Sequence, residues 1–464
     1  MRRRTFVTAL GAAVAAGGLP IGTARDAAAA PTAAPGIAPT LTGRDPAASP
    51  NARAVYAHLV KLENDARSGN RPMTVIGQHI EGQQELYNAS YGDTGGTTHV
   101  GYYYKKVRDI TGKLPGFLEI DLGPGYGAAD GWGSYEDRSY NRPLGLPTGR
   151  RPWQYADDVV DVATGVWKGL PRAADGTYNP SGVMRRSDGG SATLANGGAA
   201  AGIVGMSFHQ PYPGSPLKDW SRVLTQVRGE HPGGSAGNPL ASLTTDQAWF
   251  DRVVDWESDT PEYRALLADL GFLAASLSYF AAYDVPVLLR PYHEMNGDWF
   301  WWGGKTPAGY KKLWRIMYDF LVRTKGLHNL IFVWSPNAWH PQGDDAPWDY
   351  YPGADLVDVV GVDDYDPYSA ASDLTHTYYT GLAGYGKPRM LAETWNMPIT
   401  AAGSDALARS PWVIWNIWGS GTTRTDINGN ADVKATYYAA DRVYTGGSGT
   451  GLGQNFDWGS LHAH

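Results

Sequence analysis

The sequence predicts a single (β/α)8 barrel. Three observations predict it: eight short apolar runs that end in polar or aromatic residues, helical periodicity between them, and no linker-like stretch between residues 51 and 445. Strand–helix alternation repeated eight times is the pattern of this fold. At 464 residues the chain is roughly three times the commonest domain size, which would also allow two or three domains. The unbroken alternation favours one.

In chain order, residues 1–30 run from Arg2-Arg3-Arg4 through an Ala/Gly/Val/Leu stretch to four alanines, Ala27 to Ala30, the pattern of a signal peptide. The paired arginines followed by Thr5, Phe6 and Val7 resemble a bacterial twin-arginine signal. The apolar run is Gly-interrupted and short of a membrane-spanning helix, and no later segment approaches about 18 uninterrupted apolar residues. Export, with no membrane attachment after signal removal, is the expectation. Residues 31–50 are rich in Pro, Ala and Thr without apolar periodicity and read as a linker. Residues 446–464 read as a Gly-rich C-terminal tail.

The strand candidates are 74–77, 116–121, 202–208, 285–290, 329–334, 357–362, 389–392 and 412–416. Helices are expected over 246–283, broken near Thr260-Pro261, over 307–324 and over 431–444, where apolar positions recur at spacings of three and four. The span 123–201, between strands two and three, is too long for an ordinary connection and carries Trp132, Trp153 and Trp167. It is expected to fold over the barrel mouth. A doubly wound sheet would want a glycine-rich first turn, and Gly123-Pro124-Gly125-Tyr126-Gly127 looks superficially like one. A proline interrupts it, and the Trp- and Asp-rich residues after it lack the apolar stripe of a dinucleotide-binding helix.

Composition narrows the chemistry. The 39 basic and 46 acidic residues give a net charge of -7 with no long basic run, so the footprint of a nucleic-acid binder is missing. Without cysteine there can be no disulfide, thiolate metal site or thiol nucleophile. The 18 Trp and 28 Tyr far outnumber the 10 Phe. Aromatics with a polar edge suit surfaces that are both apolar and wet. A pyranose ring, apolar on its axial C–H face and hydroxylated at its rim, is the matching partner.

A barrel of this kind keeps its active site where strands end and βα loops begin. Here the runs are followed by Gln78-His79, Asp121, His209, His293-Glu294, Ser335 to Asn337, Asp363-Asp364-Tyr365, Glu393 and Trp418. Glu294 follows strand four and Glu393 strand seven, which face one another across a barrel mouth. Two carboxyls in an aromatic cleft suit glycosidic cleavage: one protonates the leaving oxygen while the other meets the developing oxocarbenium ion. Such a pair needs separated pKa values, one group desolvated and the other surrounded by donors or cations; Arg290 and Tyr365 are candidate donors to the ionised partner. Each glutamate alone could equally be a structural ion pair at a strand end. His209 and His293 fit hydrogen bonding to substrate hydroxyls or, buried, to backbone carbonyls. A metal held by His79, His209, His293 and Glu294 is disfavoured, since no His-Glu-x-x-His spacing or cysteine is present. Asp426-Ile427-Asn428-Gly429-Asn430 hints at a calcium loop but lacks the full ligand series and reads better as a turn. Trp314, Trp334 and Trp415 are expected in the core. Trp299, Trp301, Trp302, Trp339, Trp395 and Trp418 fall just after strands, and about half are expected to touch substrate, Trp299 and Trp418 first.

The run Arg290-Pro291-Tyr292-His293-Glu294-Met295-Asn296-Gly297-Asp298-Trp299-Phe300-Trp301-Trp302-Gly303 resembles the acid/base motif of glycoside hydrolase family 26, chiefly bacterial endo-β-1,4-mannanases with a few lichenase-like and β-1,3-xylanase members. Ala392-Glu393-Thr394 resembles the family's nucleophile segment, and His209 and Tyr365 resemble positions near the scissile sugar and the nucleophile. The likeness extends from about Thr74 to Tyr444 and is loosest over 123–201. It implies a retaining double displacement by Glu294 and Glu393, which asks for carboxyls about 5 to 5.5 Å apart, and no cofactor. The substrate it implies is β-mannan, with mixed-linkage β-glucan or β-1,3-xylan as the alternative and a silent polysaccharide-binding barrel as the reading from another class. A monomer is expected.

Overall fold

The computed structural model describes residues 45–80, 102–121, 157–169, 183–185, 191–193, 200–214, 223, 245–338, 346–365, 373–446 and 455–462. The expected signal, most of the linker and most of the 123–201 insertion lie outside them, as do Trp132, Trp153 and Trp339.

Each apolar run forms a strand: β1 (Thr74–His79), β2 (Phe117–Asp121), β3 (Ile203–Phe208), β4 (Val287–Pro291), β5 (Leu330–Trp334), β6 (Val359–Asp363), β7 (Arg389–Thr394) and β8 (Ile414–Ile417). Each pairs in parallel with the next, and β8 pairs with β1, so the sheet closes into the expected barrel. The runs are continuous in apolar character because one strand face fills the barrel and the other lies under helices. Phe117 fills the interior beside β3; a Cβ at Gly205 would sit 2.3 Å from its Cζ, so only glycine leaves that ring its place.

The outer layer comprises α1 (Pro50–Ser68), α2 (Tyr102–Thr111), α3 (Asp157–Lys168), α4 (Gln247–Val253), α5 (Pro261–Ala282), α6 (Pro307–Tyr318), α7 (Asp373–Leu382) and α8 (Asn430–Tyr438). Three of them begin the same way. Ser49, Thr260 and Thr306 each accept a first-turn N–H through the hydroxyl, and Pro50, Pro261 and Pro307 come next, where the missing N–H costs nothing. Thr260-Pro261 is therefore a helix start, which explains the expected break between α4 and α5. By length and composition α5 could cross a membrane. Here Leu266, Leu270, Leu273 and Leu277 instead form a buried stripe against the barrel.

Four expectations need correction. The helix expected over 431–444 stops at Tyr438, and Val443–Gly446, β-branched and aromatic at its start, pairs in parallel with β1 and antiparallel with Leu114–Pro115. Residues 455–462 are not loose chain: Trp458 is buried beneath the barrel and donates its indole N–H to the Thr445 carbonyl at 3.0 Å. The folded body likewise starts before Asn51, since the Ser49 N–H donates to the His328 carbonyl at 2.7 Å and Asp45 pairs with the His328 ring at 2.9 Å. Within the insertion, Trp167 lies on α3, buried against the His462 ring, and belongs to the core rather than to a cleft wall.

Candidate active site

Side chains inside a (β/α)8 barrel stack in layers of four from alternate strands, usually Val, Ile or Leu. The uppermost layer here is polar. Glu119 (β2), Arg290 (β4), Asp363 (β6) and Asn416 (β8) meet in the interior, all buried. The Arg290 guanidinium donates to Glu119 at 2.8 Å, to Asp363 at 3.1 Å and to Glu393 Oε1. Asn416 donates to the other Glu119 oxygen at 2.6 Å and to the Ala392 carbonyl at 2.9 Å. Burial alone would lower the pKa of Arg290, but the charges of Glu119, Glu393 and Asp363 outweigh it and hold the group cationic. The sequence predicts Arg290 as a donor to one carboxylate; it serves three.

Glu393 ends β7 with its other oxygen accepting from the Tyr365 hydroxyl at 2.5 Å. Burial and the neighbouring carboxylates push the Tyr365 phenol well up, so it remains a donor. His293 Nε2 stands 3.7 Å from Glu393 Oε1. Burial, then the charge of Arg290, holds that imidazole well below its ordinary range, so it faces Glu393 neutral.

Glu294 lives in the opposite electrostatic setting. Among the described residues its side-chain donor is the Trp299 indole, at 2.7 Å. Burial, and next the charge of Glu393, raise its pKa to about 8 against the smaller opposing effects of Trp299 and Arg290. The indole reaches it by folding over Gly297, where a Cβ would lie 2.1 Å from the ring; the glycine of the motif is thus a steric requirement. The two glutamates are therefore brought together in unlike settings, Glu393 against Arg290 and Tyr365 and Glu294 against the Trp299 indole.

Trp418 stacks on His79 at 3.8 Å between ring centroids, and His209 meets His293 edge-on at 4.5 Å. Burial, then Arg290, keeps His79 neutral, and its Nε2 lies 3.2 Å from Ser207 Oγ. The aromatics divide. Trp299 and Trp418 are half-exposed at the mouth, and Trp395 packs edge-on against Tyr365 with Arg424 over its ring at 4.5 Å. Trp301 and Trp302 are fully buried, their indoles bonded to the Gln210 and His293 carbonyls at 2.8 and 2.7 Å. Those two hold the loop and do not line the cleft. Trp314, Trp334 and Trp415 are core residues as expected.

His293, Asp363 and Glu393 place ligand-type atoms within 4.8 Å of one another. Arg290 already bridges the two carboxylates, so the positive charge a cation would supply is in place. The 426–430 segment is a loop staple: Asn428 donates to the Trp395 and Gly421 carbonyls at 2.5 and 2.9 Å and accepts from the Met397 N–H at 2.9 Å. Sequence reasoning placed Asp363 at a strand end but missed Glu119 and Asn416 as site residues. The available signal was a charged or amide side chain at an inward position of an otherwise apolar strand.

Comparison with known proteins agrees with this geometry. Residues 156–439, more than half of the chain, match the profile described as glycosyl hydrolase family 26. A mannan endo-1,4-beta-mannosidase of Thermothelomyces thermophilus is 32% identical over 295 residues, 62% of this chain and 55% of the relative. One of Bacillus subtilis is 37% identical over 184 residues, 38% and 46% of the two chains. The chain thus spans about half the length of these relatives. The crystal structure of a β-mannanase from a symbiotic protist of the termite Reticulitermes speratus, complexed with gluco-manno-oligosaccharide, superposes with a TM-score of 0.57 at 22% identity, covering 86% of this chain and 95% of that one. On the profile match, with one glutamate just after β4 and another on β7 of a closed barrel, the chain belongs to glycosyl hydrolase family 26.

Proposed function

We propose that the protein is an exported, monomeric endo-β-1,4-mannanase that cleaves internal bonds of mannan, glucomannan or galactomannan with retention of configuration. The observation that carries this reading is the division of labour between Glu294 and Glu393. Glu294, protonated at neutral pH by burial, delivers its proton to the leaving glycosidic oxygen. Glu393, oriented by Arg290 and Tyr365, attacks the anomeric carbon. Glu294, now a base, then takes a proton from water as that water releases the sugar from Glu393. The names of the relatives support the substrate class, and Trp418 over His79 offers a flat apolar face for a pyranose.

The test is hydrolysis of mannohexaose followed by proton NMR and product chromatography. New reducing ends should appear first as the β-anomer, and mannobiose and mannotriose should form before mannose. First-formed α-anomer would remove the nucleophile role from Glu393. Parallel assays on barley β-glucan and β-1,3-xylan test the substrate class; faster turnover there than on mannan would overturn it.

A further inference from the structure

The segment after β4 carries two non-glycine residues in the left-handed region, Tyr292 at φ 48° and Glu294 at φ 55°. Such backbone is disfavoured for bulky side chains and persists only where surroundings enforce it. Its effect is visible in the directions of the side chains. In an unbroken strand, successive side chains alternate between faces, so Arg290 and Tyr292 would both point into the barrel and His293 away from it. Instead Tyr292 turns outward among Phe208, Trp301 and Trp302, while His293 and Glu294, adjacent in sequence, both approach Glu393.

What enforces the kink is a set of buried bonds from outside the strand. The Tyr310 hydroxyl, on α6, donates to the Tyr292 carbonyl at 3.0 Å. The Tyr292 hydroxyl donates to Gln210 Oε1 at 2.6 Å. Trp302 donates to the His293 carbonyl, and the Glu294 N–H donates to the Ser335 carbonyl at 2.9 Å. All four side chains of this clamp, Tyr292, Tyr310, Gln210 and Trp302, are fully buried, and Tyr310 comes from the outer helical layer, away from the cleft.

We propose that Tyr310 is a positioning residue for Glu294: by holding the Tyr292 carbonyl, and with Tyr292 anchored on Gln210, it locks the left-handed kink that turns the acid into the cleft. This rests on the glycosidase reading above. A positioning residue that acts through the acid has a signature that general destabilisation lacks. Leaving groups that depart without a proton do not need Glu294 in the first step, and kcat/KM reports only up to that first irreversible step.

The experiment compares Tyr310→Phe and Tyr292→Phe with the full wild-type chain on mannopentaose and on 2,4-dinitrophenyl β-mannobioside, with melting temperatures recorded alongside. On mannopentaose, kcat/KM should fall roughly 10- to 100-fold, a share of the ~10²–10⁴ that general acid catalysis supplies. On the dinitrophenyl substrate it should stay within about twofold, because dinitrophenolate leaves unprotonated. Parallel losses on both substrates, or no loss on either, in a variant that still melts cooperatively would overturn the proposal. Should Tyr310→Phe not fold, Tyr292→Phe alone carries the comparison, since it keeps the ring and removes only the Gln210 bond. Wild-type protein inactive on both substrates would overturn the glycosidase reading itself, a result distinct from selective or parallel loss in the variants.

Discussion

Replacing Trp299 by Phe removes one hydrogen bond, the 2.7 Å contact from the indole to Glu294 Oε2, and leaves an aromatic ring at the cleft. The indole N–H can only donate, so it favours the ionised carboxylate over the protonated acid. A hydrogen bond to a charged group is worth about 1.5–3 kcal/mol and one to a neutral group about 1 kcal/mol. The difference, roughly 0.5–2 kcal/mol, corresponds to about one pH unit at 1.36 kcal/mol per unit. Glu294 stands at about 8, so the alkaline limb of kcat/KM should lie near there in the wild type and near pH 9 in Trp299→Phe. The sign is fixed by the role: an acid must hold its proton to act, and a higher pKa keeps the proton on at higher pH. Activity at pH 9 relative to pH 6 therefore rises against the wild type. The assay is kcat/KM on mannopentaose from pH 4 to 10. An alkaline limb that stays in place, or moves down, refutes the assignment of that limb to Glu294.

Stability should report the same group independently. The raised pKa of Glu294 means that the folded state holds a proton the unfolded chain releases, so the stabilisation is complete below the ordinary value of 4.5 and is lost as pH rises to about 8. Glu294→Gln escapes this loss, on the order of 3 kcal/mol at pH 7. The inactive variant should therefore melt higher than the wild type at pH 7–8 and about equally at pH 4; a gap independent of pH contradicts the burial account. Tyr365→Phe removes the donor at Glu393 Oε2 and should lower kcat/KM about 10- to 100-fold, the equivalent of a charged hydrogen bond, with the melting temperature nearly unchanged. A loss below threefold would make Tyr365 incidental to the nucleophile.

How much of the fold and site is legible in the sequence depends on which physics acts locally. The eight strands can be read because a parallel strand buried on both faces must be apolar along its whole length, and the Ser/Thr-Pro starts of α1, α5 and α6 because capping is settled within four residues. Glu294 and Glu393 stand out because they end such runs. The end of α8 is misread because Val443 and Tyr444 keep a helical spacing from the residues before them, and only pairing with β1 makes them extended. Trp301 and Trp302 are indistinguishable from Trp299 in the motif; the tight turn over Gly297 sends one indole to Glu294 and buries the other two. Glu119 and Asn416 escape notice because their roles exist only across the barrel, between strands far apart in sequence.

The same interior layer supports the different roles proposed for the two glutamates. Around Arg290 lie Glu119, Asp363 and Glu393, with Glu294 close enough for its proton affinity to feel the charge of Glu393. One guanidinium cannot neutralise four buried carboxyls, and carrying uncompensated charge in so dry a place is costly. Burial pushes Asp363 well up despite Arg290, with Glu393 and Glu294 adding to the rise, and it pushes Glu294 to about 8. Among the described residues Glu393 accepts from Arg290 and Tyr365, whereas Glu294 accepts from a single indole. On the proposed mechanism, an acid and a nucleophile of identical chemistry are thus told apart by unequal access to one arginine.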